Sequence, residues 1–221
     1  MRALGLAVLV LAAQPLALGA QADVAARLEG RVPPQVVRAV RDIAAATAAR
    51  GLPVDPLIQK AIEGGAKHVS PDRVIAAVRT LAARLDQAAA ALHDGGIATP
   101  EADVVEGGAD ALNAGLSADQ VRDLVHASRA PYDPAVTLRV AATLAALGVP
   151  PQQAVELVEA TIAAGRAPAD LLSLPSQVQA SVARGATPAQ AASGLGRAAA
   201  HAPGGRPPRE PPPGQSNPHK P

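Results

Sequence analysis

Apolar residues at Val74, Val78, Leu81, Leu85, Ala88 and Leu92 step along the chain by 4, 3, 4, 3 and 4 positions, with Arg73, Arg79, Arg84 and Asp86 elsewhere. Steps of three and four place side chains on one side of an α-helix. The pattern predicts a single helix from Pro71 to about His93. Val36, Val40, Ile43 and Thr47 form a similar stripe, as do Val136, Val140, Leu144 and Leu147. No alternating run of β-branched residues is long enough to predict a sheet. The expected fold class is all-α.

Local chemistry marks where these helices begin and end. A capping residue followed by proline occurs at Asp55-Pro56, Ser70-Pro71, Thr99-Pro100, Asp133-Pro134 and Thr187-Pro188. The side-chain oxygen accepts a bond from an orphan N–H of the first turn, where the N–H that proline lacks is not needed. Pro34, Pro151 and Pro168 are expected to open helices without a polar cap, and Ser117 to Gln120 reads as a capping box. Glycine stands three positions before several starts, as in Gly30/Pro33, Gly115/Ala118, Gly148/Pro151, Gly165/Pro168 and Gly185/Pro188. A left-handed glycine closing one helix and a proline opening the next makes a short joint, so consecutive helices run antiparallel.

Starts at Pro100, Ala118, Pro134, Pro151, Pro168 and Pro188 are spaced 18, 16, 17, 17 and 20, whereas the earlier ones at Pro34, Pro56 and Pro71 are less regular. This spacing resembles tetratricopeptide or HEAT-like arrays in architecture alone, across about Pro34 to Ala200, and the aromatic positions of the former are absent. The expected architecture is antiparallel helix pairs stacked as an irregular α-solenoid or helical bundle. It occupies residues 23–202. Residues 203–221 hold eight prolines in nineteen positions and little to bury, so a disordered Pro-rich tail is expected there.

At the other end, Arg2 precedes an apolar run from Ala3 to Ala13 and a small-residue exit. That arrangement reads as a secretory signal peptide over 1–22, with cleavage after Ala20-Gln21-Ala22 or, less favoured, after Ala17-Leu18-Gly19. The run is shorter than the ~20 residues a spanning helix needs, so no stable membrane span is expected after cleavage. The expected location is outside the inner membrane, periplasmic or extracellular.

Composition narrows the chemistry. Alanine (54), glycine (19) and proline (22) supply 95 of 221 residues, while cysteine, tryptophan and phenylalanine are absent and Tyr132 is the single aromatic. Without cysteine there is no disulfide, thiolate zinc site or thiol nucleophile. Stacking platforms for sugars or bases are equally improbable with one tyrosine. Loss of Arg2 with the signal leaves 19 basic and 19 acidic residues, so no basic field exists for nucleic acid.

Three features invite a chemical reading. Gly194-Leu195-Gly196-Arg197-Ala198-Ala199 matches a GxGxxA fingerprint, but no strand precedes it and no cofactor role is expected. Asp103, Glu106 and Asp110 share one helix face, with Glu101 nearby and no lysine or arginine between Thr99 and Gly115. They could hold a hard cation or form an acid–base pair, but a solvated acidic face near a helix start is the preferred reading, and no site is named there. Gly107 and Gly108 fall in the same segment and are expected to weaken its helix, so Gly107→Ala should be neutral or mildly stabilising unless a neighbour packs closely there. His68, His93, His126, His201 and His219 form no paired ligand motif.

The sequence therefore specifies no catalytic, cofactor or metal residues. It favours an exported, non-enzymatic helical scaffold that binds a protein or peptide in the cell envelope. The alternatives are a structural envelope protein without a discrete ligand, or a metal-assisted enzyme using the Asp103/Glu106/Asp110 face.

Overall fold

The computed structural model describes residues 23–201, and all regular structure among them is helical. A first segment, α1, covers 23–28. It is followed by α2 (Pro34–Ala48), α3 (Asp55–Ala66), α4 (Pro71–Asp94), α5 (Ala102–Asn113), α6 (Ala118–Ala127), α7 (Pro134–Ala146), α8 (Pro151–Ala163), α9 (Pro168–Ala183) and α10 (Pro188–His201). The expected signal peptide and Pro-rich tail lie outside the described residues.

Seven of the joints share one hydrogen-bonding scheme. At Leu52, Val69, Ile97, Leu116, Val149, Arg166 and Ala186, the amide donates to the carbonyl five residues earlier, at Thr47, Gly64, Leu92, Ala111, Leu144, Thr161 and Ser181. The residue just before each of these amides has positive φ, from 52° to 99°. This is the Schellman ending, which satisfies last-turn carbonyls and needs a left-handed residue that glycine adopts without steric cost. Six of the seven are glycines. The exception is His68, at φ 52°, which fills the same slot between α3 and α4.

Helix starts follow their caps with three corrections. Asp133 accepts from the amides of Ala135 and Val136 at 2.8 and 3.2 Å, and Ser117 and Gln120 form the reciprocal box at 3.2 and 2.9 Å. Thr187 and Gln190 form a second reciprocal box with the same distances. By contrast, Ser70 precedes α4 without a side-chain cap bond, and Asp55 lies inside the first turn of α3 after Val54. The helix expected from Pro100 begins at Ala102 behind Glu101, because Pro100 stands one residue before the extended cap residue instead of inside the first turn.

Packing follows a two-step rule. α2 touches α4, α4 touches α6, α6 touches α8 and α8 touches α10, while α5 touches α7 and α7 touches α9. Consecutive helices also meet, most extensively α4 with α5. The even-numbered helices from α2 to α10 thus form one row, and α5, α7 and α9 another. The core between them is aliphatic, with Leu28, Leu57, Ile58, Leu85, Leu92, Leu124, Leu138, Leu144, Leu157 and Leu171 essentially inaccessible. On α4 the predicted stripe is buried except for Leu81, and Ala82 and Ala91 widen it.

Helix α7 departs from the single-stripe expectation. Besides Val140 and Leu144, it buries Ala135, Thr137, Leu138, Ala141 and Ala142, while Val136 and Leu147 are only partly covered. Contact with α5, α6, α8 and α9 explains burial around most of its circumference. The buried hydroxyl of Thr137 is satisfied by donating to the Asp133 carbonyl at 2.9 Å.

Close helix crossings supply the exception allowed for Gly107, a neighbour packed against it, and Gly108 is similarly approached. A Cβ on Gly107 would sit 3.1 Å from the Ala135 carbonyl oxygen and 3.4 Å from the Leu138 Cβ, and one on Gly108 would sit 3.0 Å from the Ala88 Cβ. These glycines are where α5 approaches α7 and α4. They lower intrinsic helix propensity but permit the contact. Gly65 of α3 is tighter still, 2.5 Å from the Arg31 carbonyl oxygen on the same construction.

Candidate functional site

The sequence places Asp103, Glu106 and Asp110 on one side of α5, and the fold adds Arg139 from α7. The Arg139 guanidinium donates through Nη2 to the Asp103 backbone carbonyl at 3.2 Å. An open hollow of about 470 Å³ lies between the two helices. Asp110, Asn113 and Ala114 line it from α5 and its C-terminal cap, and Arg139, Ala142, Thr143 and Ala146 line it from α7. The alanines give it a shallow apolar floor. Thr143 directs its hydroxyl proton to the Arg139 carbonyl at 2.7 Å.

Burial raises the Glu106 carboxyl above its ordinary value, opposed by the charge of Arg139 and reinforced by Asp110, Asp55 and Asp103. Asp110 is shifted the same way, again mainly by burial and again opposed by Arg139. The nearest cation therefore offsets part of the cost of holding these carboxylates, but not all of it.

A second acidic region lies on the even-numbered row. Burial raises Glu159 of α8, and Asp123 of α6 and Glu156 add repulsion. Arg122 answers there, pairing with Asp119 at 2.7 Å and Asp123 at 3.3 Å. Residues 99–163 together carry nine carboxylates against three arginines, a net −6. Residues 23–98 and 164–201 each carry +2. Charge is segregated along the array, with the middle helices acidic.

Among the described residues, no three acidic, histidine or cysteine side chains converge as a metal would require. Asp103, Glu106 and Asp110 share a helix face but are not assembled as a ligand set. Glu101 is the exposed residue before α5, and His68, His93, His126 and His201 are all exposed. Gly194 and Gly196 lie inside α10, with open space where a side chain would stand, so neither close packing nor a phosphate loop accounts for them.

Arg139 was not singled out by sequence, since it is 29 residues from Asp110 and on another helix. The two-step packing of α5 on α7 brings them together, a pairing that nothing in the sequence marks. No helix among the described residues is long and apolar enough to cross a membrane. Compared with protein-family models, curated proteins and solved structures, the chain matches none.

Proposed function

We propose that the chain is an exported, non-enzymatic scaffold whose helices stack as an open α-solenoid and bind a protein or peptide along the α5–α7 face. The observation that carries this reading is the groove itself. Its polar groups come from two helices that are not consecutive, over an alanine floor that an extended backbone can approach. Stacked helix pairs create elongated surfaces of this kind, and small residues let a partner lie close. The signal-like residues 1–22 support export to the periplasm or beyond.

Peptide selection from a displayed random library on the purified full chain tests the binding site, followed by titration calorimetry with Asp110→Lys. A selected sequence should lose about tenfold in affinity, or about 1.4 kcal/mol, in the variant. Failure to enrich any sequence, or equal affinity for both proteins, would overturn the proposal. Cell fractionation with mass analysis tests the location, the expected mature N-terminus being Asp23.

A further inference from the structure

We infer that a recess among α8, α9 and α10 binds a free α-amino acid with an aliphatic side chain. The recess is separate from the α5–α7 hollow, and the inference goes beyond the reading of that face as a peptide-binding surface. Shape, charge and fixed backbone support it.

The apolar lining is Leu174 of α9 with Leu195, Ala198 and Ala199 of α10. Leu174 and Ala199 are buried. Thr161 of α8 also borders the recess. Its hydroxyl is spent on the Leu157 carbonyl at 2.8 Å, so it adds no free polar group. An apolar cavity of about 150 Å³ holds benzene. A recess of about 80 Å³ therefore suits a branched aliphatic group and not an aromatic ring.

Two opposite charges stand at the same recess. Arg166, in the joint after α8, and Asp170, in the first turn of α9, both line it and are exposed. Among the described residues they form no ion pair with each other or with any other side chain. Their backbones are held in place. The Arg166 amide donates to the Thr161 carbonyl at 3.3 Å, and its carbonyl accepts from the Tyr132 hydroxyl at 2.6 Å. The Asp170 amide donates to the Ala167 carbonyl at 2.8 Å, and its carbonyl accepts from the Ser173 hydroxyl at 2.7 Å. Gln177, also at the recess, donates through Nε2 to Ser173 Oγ at 2.6 Å, which leaves its amide oxygen as a second acceptor.

A ligand that answers these features carries an anion, a cation and a short apolar group on one small frame. Aliphatic α-amino acids do so. The carboxylate takes charge-assisted bonds from Arg166, the ammonium donates to Asp170 and Gln177, and the side chain enters the apolar recess. An interior peptide residue lacks both charges, and each chain terminus lacks one of them. Fixed backbones reduce the ordering that binding must otherwise impose.

Titration of the full chain with L-leucine, read by methyl NMR, tests the inference. The signals of Leu174 and Leu195 should shift saturably with half-saturation at about 1 mM or below, while those of Leu57 on α3 and Leu138 on α7 stay in place. Isocaproate lacks the ammonium and isoamylamine lacks the carboxylate, and each should bind at least about tenfold more weakly. So should L-leucine to Arg166→Gln and to Asp170→Asn, whose unchanged Leu57 and Leu138 signals report an intact fold. No saturable shift, a single-charge analogue that binds as well as leucine, or unchanged affinity in either variant overturns the inference. L-Phenylalanine binding as tightly as leucine overturns the assignment to an aliphatic side chain. If leucine fails to bind while a selected peptide still binds the α5–α7 hollow, only this inference falls.

Discussion

His68 is the one non-glycine residue with positive φ among the described residues, and it is exposed. A side chain in the left-handed region costs about 1 kcal/mol or more, and here no buried contact of the imidazole offsets it. His68→Gly should therefore raise the urea unfolding midpoint, with a gain of about 0.5–1 kcal/mol reduced by the greater freedom of glycine in the unfolded chain. The reciprocal change, Gly148→Ala at φ 88°, should lower it by about 1–2 kcal/mol. Gly65→Ala tests a different cause. Its Cβ would meet the Arg31 carbonyl oxygen at 2.5 Å, so backbone must shift, and a loss of about 1–3 kcal/mol is expected despite better helix propensity. An unchanged midpoint for Gly65→Ala would show that α3 and the α1–α2 link can separate freely.

At the scale of the helix, the termini carry much of the specification. Ser117→Ala removes one half of a capping box and Thr187→Ala one half of another, and each should cost about 1 kcal/mol. Ser70→Ala should cost little, since Ser70 makes no cap bond. Thermal melts of the three variants will show whether this ordering holds. Helix ends were legible because they are written in neighbouring residues: a proline, an oxygen-bearing side chain, a glycine. Pro100 shows the limit of that local code, as the cap position fell to Glu101. The hidden second face of α7 and the role of Gly107 have the same origin. Which alanine or glycine meets which is decided by three-dimensional packing, and a sequence rich in both leaves many pairings equivalent. Arg139 at the groove was illegible for that reason, whereas Asp103, Glu106 and Asp110 were visible as an i, i+3, i+7 set.

For the molecule as a whole, the acidic middle sets the response to pH. Burial favours the neutral forms of Glu106, Asp110 and Glu159, so the folded chain binds these protons more tightly than the unfolded chain. Their destabilising contribution is complete above the raised values, fades as pH falls through them, and vanishes below the ordinary values of 4.5, 3.8 and 4.5. Glu63 has the opposite sign. Lys67 and Lys60 lower it from 4.5 to about 2, so what it contributes is lost only as pH falls through that interval. The urea midpoint should therefore rise as pH is lowered from 7 towards the ordinary carboxylate range. Glu106→Gln should raise the midpoint at pH 7 and flatten the slope. A midpoint that falls steadily over this range would exclude Glu106, Asp110 and Glu159 as its determinants.

Tyr132 links two parts of this array, donating from its hydroxyl to the Arg166 carbonyl at 2.6 Å, just past the end of α8. The chain has no other tyrosine and no tryptophan or phenylalanine. The protein thus carries a single intrinsic fluorophore, fixed at the junction between the α6–α7 loop and the α8 terminus. Its emission is a local signal, whereas the far-ultraviolet circular dichroism sums over every helix. In an array where each helix contacts near neighbours, opening can begin at one end without the rest. The two signals are then expected to give separate unfolding midpoints, and their coincidence would mean that the helices melt as one cooperative unit.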